Sequence, residues 1–259
     1  MPAECEVAPL VRGLLKSDIR PDERVLRWFK PSAAFAPFVQ RIWSAQWRIP
    51  AGEHRVQPIL PYPSANLVLG RGTADILGVV TRAAIQRLEG VGSAFGAKLQ
   101  PGALRAFGVE RPSLIRDKSA PAADLVAGPP LCRMSEDPEA IACEIESYLL
   151  AHTPNHDAIS LKAREIVELA ENDREIVSVS RLAHALRLSV RSVQDICQRA
   201  LGVSPKWLIR CFRASGCAGA TRCRLRCEPV RVGAGTRLLR SSSFHADFKR
   251  VTGVSPGRN

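Results

Sequence analysis

The sequence predicts an α+β protein: an N-terminal antiparallel, β-rich, barrel-like domain, then an all-α domain. Three observations predict it. Short apolar or alternating runs broken by Pro and Gly dominate residues 24–110, as in a small sheet or barrel. From Pro138 a 3.6-residue apolar period takes over. The charge divides as well. Residues 1–159 hold 18 Lys and Arg against 17 Asp and Glu, whereas residues 160–259 hold 19 against 8. Nearly all of the net charge of +12 therefore falls in the last hundred residues, which suits contact with a polyanion.

Taken in chain order, Met1 to Leu15 contains Glu4 and Glu6 and no apolar run of signal-peptide length. No stretch of 18 apolar residues offers a spanning helix, so a cytoplasmic protein with no membrane partner is expected. Its eight Cys are then expected as reduced thiols. Strand-like runs are Gln46 to Ile49, Asn66 to Leu69 and Ile76 to Val80, with turns at Pro50-Ala51-Gly52 and Gly70-Arg71-Gly72. Phe35, Phe38, Val39 and Ile42 fall at helical spacing and predict a helix over 35–44. Gly90, Gly92 and Gly96 do not match the GxGxxG dinucleotide fingerprint and read as a turn.

Ile141, Ile145, Tyr148 and Leu149 make one amphipathic helix. His152-Thr153-Pro154-Asn155-His156 reads as the linker between a domain over 1–155 and one over 156–259. A further helix over Leu161 to Glu171 turns Ile166, Val167 and Leu169 inward. Val179, Leu182, Ala183 and Leu186 then form a stripe of about two helical turns. Ser189 is suited to cap a second helix, because its hydroxyl accepts a free backbone N–H. Val193, Ile196, Cys197 and Leu201 are the stripe of that helix, and Gly202 is suited to end it left-handed. Two short helices around a tight turn, with the small Ala183 at their crossing, meet the requirements of a helix-turn-helix.

The polar side of the second helix carries Arg191, Ser192, Gln194, Asp195, Gln198 and Arg199. Arg and Gln near the start of such a helix suit bidentate contacts to guanine and adenine. Arg191, Ser192 and Gln194 are the expected base contacts. Arg199, Lys206 and Arg210 are expected at the phosphate backbone or the motif's flank.

These residues resemble the first motif of AraC/XylS-type regulators, across Ser180 to Ala183, Leu188 to Gln194, Gly202 to Pro205 and Trp207 to Arg210. A second signature of that family resembles Phe244 to Pro256, so the resemblance implies tandem helix-turn-helix motifs in the all-α domain, the second disrupted. Phe38 to Ser44, Pro61 to Val68 and Gly92 to Gly102 are similar to the small sensor domain of a subset of these regulators. The resemblance covers roughly residues 24–259 with one gap. It implies a non-enzymatic transcription regulator of bacterial type, with double-stranded DNA and RNA polymerase as partners and a small-molecule effector. It implies no cofactor. In the second motif it adds Ser242, His245, Lys249 and Arg250 as DNA contacts. Arg187 stands where the family usually has Gly, which implies strain at a positive φ. Asp195 occupies a position that is often basic in the family.

The gap runs between Arg213 and Phe244, where the family has a linker helix and a second scaffold helix. Seven Arg from Arg213 to Arg240 accompany Glu228, with Gly216, Gly219, Gly233, Gly235 and Pro229 as helix breakers. Translation in a shifted frame, restored near Ser243, accounts for the retained spacing of the two signatures. A divergent loop is the competing reading.

Trp43, Trp47, Glu53, His54 and Tyr62 are the candidate lining of a ligand pocket in the sheet domain. Cys211, Cys217, Cys223 and Cys227 form CX5CX5CX3C, which lacks the paired short spacing of structural zinc sites, so no metal is expected. No Ser or Cys nucleophile has a recognisable motif around it. Two alternatives remain open: a ligand-binding module that has lost DNA binding, and a metal or redox sensor built on the Cys cluster.

Overall fold

The computed structural model describes residues 18–59, 61–69, 74–82, 84–125, 137–151 and 157–213. Eight strands are β1 (Arg24–Phe29), β2 (Val39–Arg48), β3 (His54–Ile59), β4 (Asn66–Leu69), β5 (Ala74–Leu77), β6 (Ala84–Glu89), β7 (Val91–Leu99) and β8 (Ser119–Pro121). The helices are α1 (Ala103–Ala106), α2 (Ala122–Leu125), α3 (Pro138–Ala151), α4 (Ala158–Asn172), α5 (Val179–Ala185) and α6 (Val190–Leu201). Residues 205–213 are helical as well and are called α7. The architecture is α+β, an antiparallel β-rich part followed by helices.

Six strands pair antiparallel in the order β1-β2-β7-β4-β5-β8, and β3 with β6 makes a separate ribbon. The barrel-like expectation is corrected here. The sheet is open, because β1 and β8 stand at its two edges and do not pair with each other. Strand alternation puts Ile42 and Ser44 on the buried face, with Phe95, Ala97 and Leu99 on β7 beside them. Helix α3 packs against β2 and β7 and presents Ile141, Ile145, Tyr148 and Leu149, all buried, to this core.

Two local readings are overturned. The helix over 35–44 is instead one helical turn followed by strand. Phe35 and Ala36 N–H donate to the Ser32 carbonyl, Val39 N–H donates to the Phe35 carbonyl, and β2 begins at Val39. Pairing of β2 on both sides, with β1 and β7, outweighs the helical spacing of its apolar residues. The glycines read as a turn also divide differently. Gly90 has φ 54 in the β6–β7 turn, but Gly92 and Gly96 lie inside β7. Each lies opposite a tryptophan of β2, Trp47 and Trp43 respectively. A Cβ there would fall 2.3 Å from the Trp47 ring and 2.7 Å from the Trp43 ring. The glycines are the seats of the indoles.

The helical elements follow their periodicity closely. Asp157 caps α4 by accepting from Ile159 N–H at 2.8 Å, and the Arg105 guanidinium lies 2.6 Å from the same carboxylate. Desolvation pushes this carboxyl up, but the N–H of Ile159 and the charge of Arg105 prevail and hold it below its ordinary value. Ile166 and Val167 are fully buried with Leu182, Val193, Cys197, Leu201 and Leu208 in a second core, which also takes in Val79 from the sheet part. Among the described residues no helix is long and apolar enough to cross a membrane.

Candidate nucleic-acid interface

Helices α5 and α6 are two short helices joined by a tight turn, and the capping chemistry fixes their ends. Ser178 caps α5, its hydroxyl accepting from Arg181 N–H at 3.2 Å. Ser189 caps α6, accepting from Ser192 N–H at 3.0 Å. Between them, Arg187 N–H donates to the His184 carbonyl (3.0 Å) and Leu188 N–H to the Ala183 carbonyl (2.9 Å). These two bonds are a complete Schellman closure, with Arg187 at its left-handed position, φ 55. Gly202 ends α6 with φ 70.

The predicted polar face of α6 is outward. Arg191, Gln194, Asp195, Gln198 and Arg199 are exposed, while Val193, Cys197, Ala200 and Leu201 are buried behind them. Two members are engaged locally. The Ser192 hydroxyl lies 2.8 Å from that of Ser189, so it belongs to the cap as well as to the face. Asp195 is 3.4 Å from Arg199 one turn on, an ion pair that confines one carboxylate beside one cation. Lys206 is exposed at the start of α7, and Arg210 is half-buried on it. Ser242, His245, Lys249 and Arg250 lie outside the described residues, as do the linker over 152–156 and the segment after Arg213.

The sheet part grips this unit from behind. Arg116 donates to the Gly202 carbonyl at 2.8 Å, and the Trp207 indole N–H donates to the Thr81 carbonyl at 3.1 Å. The Cys211 thiol donates to the Pro61 carbonyl at 3.3 Å, and the Tyr62 hydroxyl to Glu171 at 2.9 Å. Cys211 is fully buried in this seam, whereas Cys217, Cys223 and Cys227 lie outside the described residues. None of these long-range links has a local sequence signal, because their partners are 86 to 150 positions apart.

The five candidate pocket residues are not brought together. Trp43 and Trp47 cover the β7 glycines. Glu53 is exposed at the β2–β3 turn and pairs with Arg55 at 2.7 Å, and His54 is exposed beside it. Tyr62 alone lines a cleft, of about 250 Å³, between the sheet and α4. Arg41, Lys98, Glu168 and Glu171 share that cleft and carried no signal in the sequence.

Residues 27–121, spanning β1 to β8, match the model of a domain family of unknown function, DUF6597. No curated protein and no solved structure matches the chain.

Proposed function

We propose that the chain is a sequence-specific, DNA-binding transcription regulator of the AraC/XylS type, in which the β-rich part responds to a small molecule and alters DNA engagement by the helices. One observation carries this reading. Helix α6 is capped at both ends, packed along one side and left open along Arg191, Gln194 and Gln198, the side and the end that enter a major groove. Its partners would be double-stranded DNA and RNA polymerase, and its place the cytoplasm, where thiols stay reduced.

Binding to genomic fragments at stated salt, with competitor DNA, tests it. Arg191→Ala or Gln194→Ala should each weaken specific binding by about 1–3 kcal/mol and relax one base position. Lys206→Ala should weaken all sequences alike and flatten the salt dependence. Binding that competitor DNA abolishes completely would overturn the reading in favour of a sensor without DNA recognition.

A further inference from the structure

We propose that the cleft between the sheet and α4 is a binding site for a small zwitterion of the amino-acid class, carboxylate toward the sheet and ammonium toward α4. That the site also modulates DNA engagement rests on the function proposed above; the binding site itself does not.

The cleft is lined by cations on the sheet side and by carboxylates on the α4 side. Arg41 of β2 and Lys98 of β7 are directly paired across the two strands. Like charges facing each other on a sheet are destabilising, which the fold offsets by setting each cation over a ring. Arg41 lies 5.2 Å from the Trp28 ring centre and Lys98 lies 3.5 Å from that of Tyr62. On the opposite wall Glu168 and Glu171 lie three positions apart on α4, one surface neighbour to the next. Glu168 holds Arg164 of the same helix at 2.8 Å and Glu171 accepts from Tyr62; the two cations face these carboxylates across about 250 Å³, the volume of roughly eight liquid waters. That room is below the range for drug-sized ligands and suits a solute of about ten non-hydrogen atoms.

The position also couples the two parts. Tyr62 donates to Glu171 and stacks edge-to-face on Phe212 of α7, ring centres 5.8 Å apart. Helix α4 in turn packs on both α5 and α6. A ligand that engages Glu171 competes with the Tyr62 link and shifts α4 against the sheet.

The test uses the full chain and the common L-amino acids one at a time, with acetate and methylamine as half-molecule probes, read by thermal shift and calorimetry. At about a hundredfold excess over Kd, at least one amino acid should raise Tm by roughly 5 °C, and neither half-molecule should match it. Lys98→Gln and Glu171→Gln should each abolish the shift. Glu171→Gln keeps an acceptor for Tyr62, and Arg41→Gln replaces Lys98→Gln if that variant fails to fold. No shift with any amino acid, an equal shift with acetate alone, or a shift unchanged in the variants would overturn the site. DNA binding without amino-acid binding would sink the site and leave the regulator reading intact. Amino-acid binding without DNA binding would do the reverse. An amino acid that binds yet leaves DNA affinity unchanged would end the coupling.

Discussion

The turn between α5 and α6 offers a direct measurement of backbone strain. Arg187 sits at φ 55, where a Cβ crowds the following carbonyl oxygen, at a cost of about 1 kcal/mol or somewhat more. The closure around it is otherwise complete, with both Schellman hydrogen bonds formed at 3.0 and 2.9 Å. Its side chain is exposed, so little packing is lost on truncation. Arg187→Gly removes the Cβ clash, while the added freedom of glycine in the unfolded chain offsets part of the gain. Arg187→Ala loses the same guanidinium and keeps the clash. The glycine variant should therefore exceed the alanine variant by about 0.5–1 kcal/mol, or roughly 2–3 °C in Tm for a chain of this size. The alanine variant should stay close to the parent. Thermal unfolding followed by circular dichroism reads both. A glycine variant no more stable than the alanine variant would refute the strain argument.

Three other outcomes follow from the geometry. Gly202→Ala adds a Cβ at φ 70, 2.7 Å from the backbone nitrogen of Ser113, and should cost about 2 kcal/mol or more. Gly52, at φ 80 with open space around it, is the control, and an equal loss in Gly52→Ala would remove the steric part of the claim. Glu23 is buried under a two-bond fork from Arg55 (2.9 and 2.7 Å) and a contact from Arg20. Arg55 first, and then Arg20, hold its carboxyl down to about 2 against an ordinary value of 4.5. Because the folded value is the lower one, this stabilisation is complete above 4.5 and drains away as pH falls toward 2. Urea unfolding of the parent and Glu23→Gln should converge across that window, and a constant difference would contradict it. Among the three described cysteines, iodoacetamide should label exposed Cys143 in the native protein. Cys197, whose thiol burial pushes up to about 12, and buried Cys211 should react only after unfolding; mass mapping of labelled peptides decides it.

The helical half was legible because its signals are local. A cap, a stripe at 3.6 spacing and a terminal glycine all act within one or two turns, so Ser189, Val193, Cys197 and Gly202 announced α6 to the residue. The polar face of that helix was readable for the same reason. The sheet was legible only in outline. Val39 and Ile42 carry a helical spacing, yet pairing of Val39 with β7, and of Ile42 with both β1 and β7, draws them into a strand. Gly92 and Gly96 look like turn residues until Trp47 and Trp43 are set across from them.

What the chain determines by itself is thus the order of its parts, the concentration of positive charge toward its C-terminal end, and the capped helix pair α5 and α6 with its outward residues. Tertiary structure alone decided that the sheet stays open, that Glu53 and His54 stand apart from Tyr62, and that Arg41, Lys98, Glu168 and Glu171 meet. The physical reason is range. Propensity and capping are settled between neighbours a few positions apart, whereas a cleft is made by packing surfaces whose residues lie as far apart as Tyr62 and Glu171 and have no way to signal each other along the chain.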